Sequence, residues 1–154
     1  MNWKKKTAYG VLLFLIVLFY WISQEAKAET ILEVSPVIAY AGTPEPGQYA
    51  LMAHERFKGK YDVGLILLLD GKGNDDNRGF DILRTTHHNN WEAGIGWAHW
   101  ANEQSKAWNT RDAFTLVLGY ERGNWGIRWR HFSTAGTSSK NSGLDMLTVG
   151  YAFR

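Results

Sequence analysis

Apolar and polar residues alternate along most of the chain after residue 28. Eight segments show this period of two on at least one face, and Gly, Asn, Asp and Lys separate them. Alternation broken by turn-forming residues is typical of β-strands with one apolar face. The pattern predicts strands over residues 30–41, 48–57, 61–70, 79–88, 91–101, 112–122, 125–133 and 144–153.

The two faces of these segments differ in character. In the first segment the apolar face consists of Leu32, Val34, Ile38 and Tyr40. Later segments continue it with residues such as Phe114, Leu116, Leu118, Tyr120, Trp125, Ile127, Trp129, Leu147, Val149, Tyr151 and Phe153. The opposite face is polar or small, and we expect a paired charge network there, formed by Arg128, Arg130, Glu92, Asp62 and Glu121. Three apolar residues on the polar face break the rule, namely Met52, Ile66 and Leu68.

Alternation alone fits either a secreted soluble barrel that carries a ligand or a membrane barrel with its apolar face toward lipid. Three features favour the membrane barrel. Aromatic residues cluster near the segment ends, short and long connections alternate, and the chain ends in a strand-like VGYAFR. The sequence therefore predicts an all-β protein, an eight-stranded antiparallel transmembrane β-barrel.

Residues 1–28 have the three parts of a secretory signal peptide. A lysine-rich start and an apolar stretch precede an Ala-Lys-Ala box that predicts cleavage before Glu29, which leaves residues 29–154 as the barrel domain. An uncleaved membrane anchor is the alternative. Cleavage removes four lysines and one glutamate from totals of 17 basic and 15 acidic residues, so the barrel carries a net charge of −1. This balance indicates no nucleic-acid partner, and the lack of cysteine excludes thiol catalysis and thiolate metal sites.

The stretch GIRWRHFSTAGTSSKNSGLD, residues 126–145, holds the candidate chemistry. Strand parity places His131, Ser133 and Asp145 on the apolar, outward face beside the last long connection, at the expected extracellular rim. His131 could activate Ser133 as a nucleophile while Asp145 orients the imidazole, and Gly136 could offer a backbone N–H to an oxyanion. Such a site needs no cofactor or metal. Alternatively, these are polar residues that merely face lipid headgroups.

This stretch resembles the active-site segment of the lipid A 3-O-deacylase (PagL-like) family, outer-membrane barrels that hydrolyse the 3-O-linked acyl ester of lipid A. The matching positions are Gly126, Ile127, Arg128, His131, Phe132, Ser133, Ala135, Gly136, Asn141, Gly143 and Leu144. The resemblance implies that Ser133 is the nucleophile and His131 the base. It also implies that Asp145 is the orienting acid, where the family has a glutamate. Gly136 and Thr134 would form the oxyanion hole, with Thr134 where the family has an asparagine. The resemblance also implies an outer-membrane location and lipid A of the outer-leaflet lipopolysaccharide as the partner.

Other polar motifs have simpler interpretations. His87-His88-Asn89-Asn90 is typical of a solvated hairpin tip rather than a metal site, and GKGNDDN, residues 71–77, of an exposed loop near headgroups. We expect His99, with Trp97 and Trp100, to pack at the membrane interface. The sequence leaves open a non-catalytic barrel of structural or adhesive role, and it leaves the oligomeric state open.

Overall fold

The computed structural model describes residues 28–40, 43–57, 60–70, 76–103, 109–136 and 143–154. Within these ranges the chain forms nine strands: β1 Glu29–Tyr40, β2 Thr43–Pro44, β3 Gln48–Phe57, β4 Tyr61–Asp70, β5 Asn77–His88, β6 Trp91–Trp100, β7 Asp112–Arg122, β8 Trp125–Ser133 and β9 Leu144–Phe153. No helix in the described part of the chain is long and apolar enough to cross a membrane. All but the last residue of the predicted signal peptide lies outside the described ranges.

The long strands form a closed barrel. Each strand from β3 to β9 pairs antiparallel with its sequence neighbour, β3 also pairs with β1, and β1 pairs with β9 to close the sheet. The two-residue β2 only extends the edge of β1. Tight turns join the strands at one end, with Asn89 (φ 54°) and Gly123 (φ 61°) in left-handed conformations. The eight-stranded antiparallel barrel predicted from alternation is confirmed.

The outside of the barrel is apolar, as expected for a surface that contacts lipid. Trp91 and Trp125, beside the short turns, are 63% and 62% exposed. Trp91 packs edge-on against Tyr120 with ring centroids 5.2 Å apart, and Trp125 packs in the same way against Tyr151 at 5.1 Å. These rings form part of an aromatic girdle at the short-turn end of a transmembrane barrel.

One predicted face is wrong at the end of β1. Ile38 and Tyr40 are buried in the interior, 1% and 8% exposed, although parity with Val34 places them outside. The reason is a bulge: Val34 pairs with Val149, but Val37 pairs with Leu147, so β1 uses one more residue than β9 over this step. The extra residue exchanges the inward and outward positions beyond it.

The half of the interior nearest the short turns is a network of buried ion pairs. Arg128 donates to Glu33 and to Glu92 at 2.7 Å each, and it also contacts Glu121. Gly119 makes room for this long side chain, because a Cβ there would lie 2.9 Å from Arg128 Cγ. Two further arginines complete the network through Arg56–Asp62, Arg56–Glu92, Arg130–Glu33 and Arg130–Asp81 contacts. The predicted interior charge network is confirmed.

The half of the interior nearest the long connections is apolar, and we call it the apolar plug. It consists of Ile38, Tyr40, Ala50, Met52, Ile66, Leu68, Ala98, Trp100, Ala113, Phe132, Leu144 and Met146. Met52, Ile66 and Leu68, which break the alternation rule, therefore belong to a packed core. Trp100 was expected at the membrane interface, but it is fully buried and packs edge-on against Phe132 with centroids 5.4 Å apart. Side chains thus fill the described interior from both ends.

Candidate functional site

The three candidate catalytic residues lie on the outer surface at the long-connection end of β8 and β9. His131 and Asp145 are direct cross-strand partners, and His131 Nδ1 lies 2.9 Å from Asp145 Oδ1. Their side chains are 29% and 25% exposed, so the pair is partly shielded from solvent. Because the carboxylate accepts from Nδ1–H, Nε2 is the nitrogen that remains for proton exchange with a third group.

Two neighbours hold the imidazole of His131 in place. Trp129, two residues earlier on the same face, stacks on it with ring centroids 5.6 Å apart and planes 20° apart. Gly143 lies against the ring, since a Cβ at this position would be only 2.8 Å from His131 Cε1. Gly143 also has φ +75°, which other residues rarely adopt. The backbone before β9 is thus shaped to bring Asp145 and the ring together.

Ser133 is the last residue of β8 and is half-buried on the same outward face as His131. Its Oγ accepts a hydrogen bond from the backbone N–H of Ala135 at 3.1 Å. This bond uses an oxygen lone pair, and the hydroxyl proton is the group that a base would remove. Ala135 and Gly136 both have positive φ, 50° and 82°, so the chain turns sharply just after the serine.

The candidate oxyanion residues occupy different environments. Thr134 is buried, 1% exposed, at the end of β8, while Gly136 is exposed in the turn. Their roles stay predictions. Residues 137–142, which include the motif position Asn141, lie outside the described ranges.

A second histidine–aspartate pair lies on the outer surface and was missed in the sequence. His99 Nδ1 is 2.9 Å from Asp112 Oδ1, and the two residues are direct partners across β6 and β7. His99 follows a tryptophan at the same spacing as His131 does, in Trp97-Ala98-His99 and Trp129-Arg130-His131. This repeated Trp-x-His spacing is the signal that could have revealed the pair.

Among the described residues, one group has the ligand types and spacing for a metal ion: His87, Glu92 and Glu121, whose ligand atoms lie within 4.8 Å of one another. Glu92 and Glu121 are already bound by Arg56 and Arg128. The group is therefore part of the interior charge network. Residues 71–75 of the GKGNDDN loop lie outside the described ranges.

Comparisons with known proteins bear on the fold and the family of this chain. The crystal structure of the outer membrane enzyme PagL superimposes with a TM-score of 0.56 at 16% identity, covering 82% of this chain and 99% of that one. Ail, the attachment invasion locus protein of Yersinia pestis, gives a TM-score of 0.36 at 14% identity over 82% of this chain and 97% of its own, too low to bear on function. No curated protein matches significantly. The sequence model of the lipid A 3-O-deacylase (PagL) family matches residues 74–154, more than half of the chain, and the protein belongs to this family.

Proposed function

We propose that this protein is an esterase that hydrolyses the 3-O-linked acyl chain of lipid A, with Ser133 as nucleophile, His131 as base and Asp145 as orienting acid. The observation that carries the proposal is the 2.9 Å contact between His131 and Asp145 on the lipid-facing side of the barrel, with Ser133 two residues from the histidine. The fold and the family place the protein in the outer membrane.

Each residue has a defined step in this reaction. His131 Nε2 takes the proton of Ser133 Oγ as the oxygen attacks the ester carbonyl, and Asp145 stabilises the imidazolium that forms. The tetrahedral oxyanion would be bound by the backbone N–H of Gly136 and by Thr134. His131 then gives its proton to the departing 3-hydroxyl group, leaving an acyl group on Ser133. Water, activated by the same histidine, releases the fatty acid and regenerates the serine.

The position of the site explains why a membrane lipid is the substrate to expect. The interior is filled by the charge network and the apolar plug, so a ligand reaches Ser133 from the outside. The cross-strand partners of Ser133 and His131 on β7 are Phe114 and Leu116, which are 49% and 43% exposed on the outer surface. An acyl chain lying along these residues keeps its apolar environment while its ester reaches the serine.

The experiment compares lipid A from cells that express the wild-type protein with lipid A from cells that express Ser133→Ala. Mass spectrometry should show loss of one hydroxyacyl chain with the wild type alone. Thr86→Ala is a matched control, since Thr86 is an exposed hydroxyl on the outer face of β5 near the opposite end of the barrel. Identical spectra for wild type and Ser133→Ala, with both proteins folded in the outer membrane, would instead support a structural or adhesive barrel.

A further inference from the structure

The second histidine–aspartate pair is built like the candidate catalytic pair but lacks a nucleophile. In both pairs the histidine Nδ1 lies 2.9 Å from a carboxylate oxygen of the residue directly opposite on the next strand. Two residues after His131 comes Ser133, whereas two residues after His99 comes Ala101. The His99–Asp112 pair therefore has no serine at the matching position to activate, and its exposed polar atoms are open to a ligand instead.

Asp112 lies on β7, the strand next to that of Ser133, and His99 lies one strand farther away, on β6. Asp112 precedes Phe114 by two residues on the outward face of β7, and Phe114 is the direct cross-strand partner of Ser133. Diagonal neighbours of this kind are roughly 7 to 8 Å apart. The distance is about the size of one sugar ring with a substituent. A ligand that contacts Asp112 can thus place a neighbouring group at the serine.

An arginine adds a positive charge on the side of His99 that faces away from Ser133. The backbone N–H of Ala101 donates to the carbonyl oxygen of Arg78 at 2.8 Å, which sets Arg78 beside β6 two positions beyond His99. Arg78 is exposed on the outer face of β5. We call Arg78, His99 and Asp112 the rim subsite.

Aromatic residues surround the histidine of the rim subsite. Phe80 and Trp97 lie 5.7 and 5.8 Å from the His99 ring, centroid to centroid, and both are exposed toward lipid. Such rings mark the depth of the membrane interface, where lipid headgroups lie. The polar atoms of the subsite are thereby held at headgroup level.

We infer that the rim subsite binds a phosphorylated sugar of the lipid headgroup and so positions the ester at Ser133; this inference rests on the proposed function. The guanidinium of Arg78 would bind the phosphate through paired N–H donors. His99 Nε2 and the second Asp112 oxygen would accept hydrogen bonds from sugar hydroxyls, because His99 Nδ1 is already engaged by Asp112. All three residues bind substrate without taking part in bond cleavage.

The test measures binding in the Ser133→Ala background, where no turnover occurs, using mixed micelles of phosphorylated or enzymatically dephosphorylated lipid A. Arg78→Gln should weaken binding of the phosphorylated lipid by about five-fold, the upper end for an exposed ion pair, and leave the dephosphorylated lipid unchanged. His99→Leu should weaken binding of both. Arg84→Gln is the matched control, because Arg84 is an exposed arginine on the same face of the same strand, nearer the short turns.

Equal effects of Arg78→Gln and Arg84→Gln, or equal loss for both lipids with Arg78→Gln, would overturn the inference. In the active protein, Arg78→Gln should lower kcat/KM for the phosphorylated lipid about five-fold and leave kcat/KM for the dephosphorylated lipid unchanged, while equal losses for the two lipids would refute the phosphate contact. The binding data remain interpretable if wild-type protein fails to deacylate lipid A. The lipid A spectra therefore test the proposed function, and the binding measurements test the rim subsite independently.

Discussion

The contact between His131 and Asp145 gives the sharpest test of the proposed mechanism, through Asp145→Asn. An asparagine has nearly the same shape as aspartate, so the barrel and the position of the ring should persist. Its amide nitrogen, however, can donate to His131 Nδ1 and hold the proton on Nε2. In that tautomer Nε2 cannot accept the proton of Ser133. Asp145→Asn should therefore be at least as inactive as Asp145→Ala, in which either tautomer is available.

The size of the effect follows from the contact itself. A hydrogen bond to a charged group contributes about 1.5 to 3 kcal/mol, and each 1.4 kcal/mol of activation free energy changes the rate about ten-fold. His131 and Asp145 are 29% and 25% exposed, so solvent weakens the interaction toward the lower part of that range. We expect kcat of Asp145→Ala to fall by about 10- to 50-fold and kcat of Asp145→Asn to fall at least as far, with KM almost unchanged in both, since Asp145 contacts the base and not the lipid.

The assay follows release of fatty acid by purified protein in mixed micelles, with kcat and KM measured separately. Asp70→Asn is the control, because Asp70 is a partly exposed carboxylate at the same end of the barrel on β4. Heat-modifiable migration on gels checks that each variant is folded. An Asp145→Asn protein with kcat within two-fold of wild type would refute the role of Asp145.

Three further predictions concern the same site and its support. Gly143→Ala should lower kcat by about ten-fold or more while the barrel remains folded, because the new Cβ would lie 2.8 Å from His131 Cε1. The fatty-acid release assay measures this, and an unchanged kcat would contradict it. Asp145→Glu, which restores the residue type of the family pattern, should retain several-fold more activity than Asp145→Asn in the same assay, and equal activity of the two would mean that the carboxylate is not used. Arg128→Met should destabilise the barrel by about 3 kcal/mol in urea unfolding from lipid vesicles, because buried Glu33 and Glu92 each keep one arginine partner instead of two. The exposed Arg122→Met should change stability little.

The strands were predictable because lipid demands an apolar outer face along every one of them. Predicted and observed strand bounds differ by at most two residues, as at β5, which begins at Asn77 rather than at residue 79. The reversal at Ile38 and Tyr40 was missed because a bulge adds a residue without changing composition. Pro36 was the available signal, since proline within a strand is confined largely to edges and bulges.

The candidate site was predictable in part for a related reason. Residues equally far from a hairpin loop become cross-strand partners, so His131 and Asp145, flanking the last connection, could be paired from sequence. The pairing of His99 with Asp112 depends in the same way on register across the connection at residues 101–111. No family motif marks that register, and the sequence alone therefore predicts only packing for His99.

The apolar plug links the filled interior to the chemistry outside. Phe132, Leu144 and Met146 are completely buried, and they alternate along β8 and β9 with His131, Ser133 and Asp145. Because successive residues of a strand point to opposite faces, packing of the inner set fixes the backbone that carries the outer set. A loosely filled or water-filled interior would allow the two strands to shift, and the 2.9 Å contact between His131 and Asp145 depends on their register. The apolar plug departs from the simple pattern of a polar lumen. Its packing makes the backbone of β8 and β9 rigid, and catalysis at the lipid-facing surface requires this rigidity.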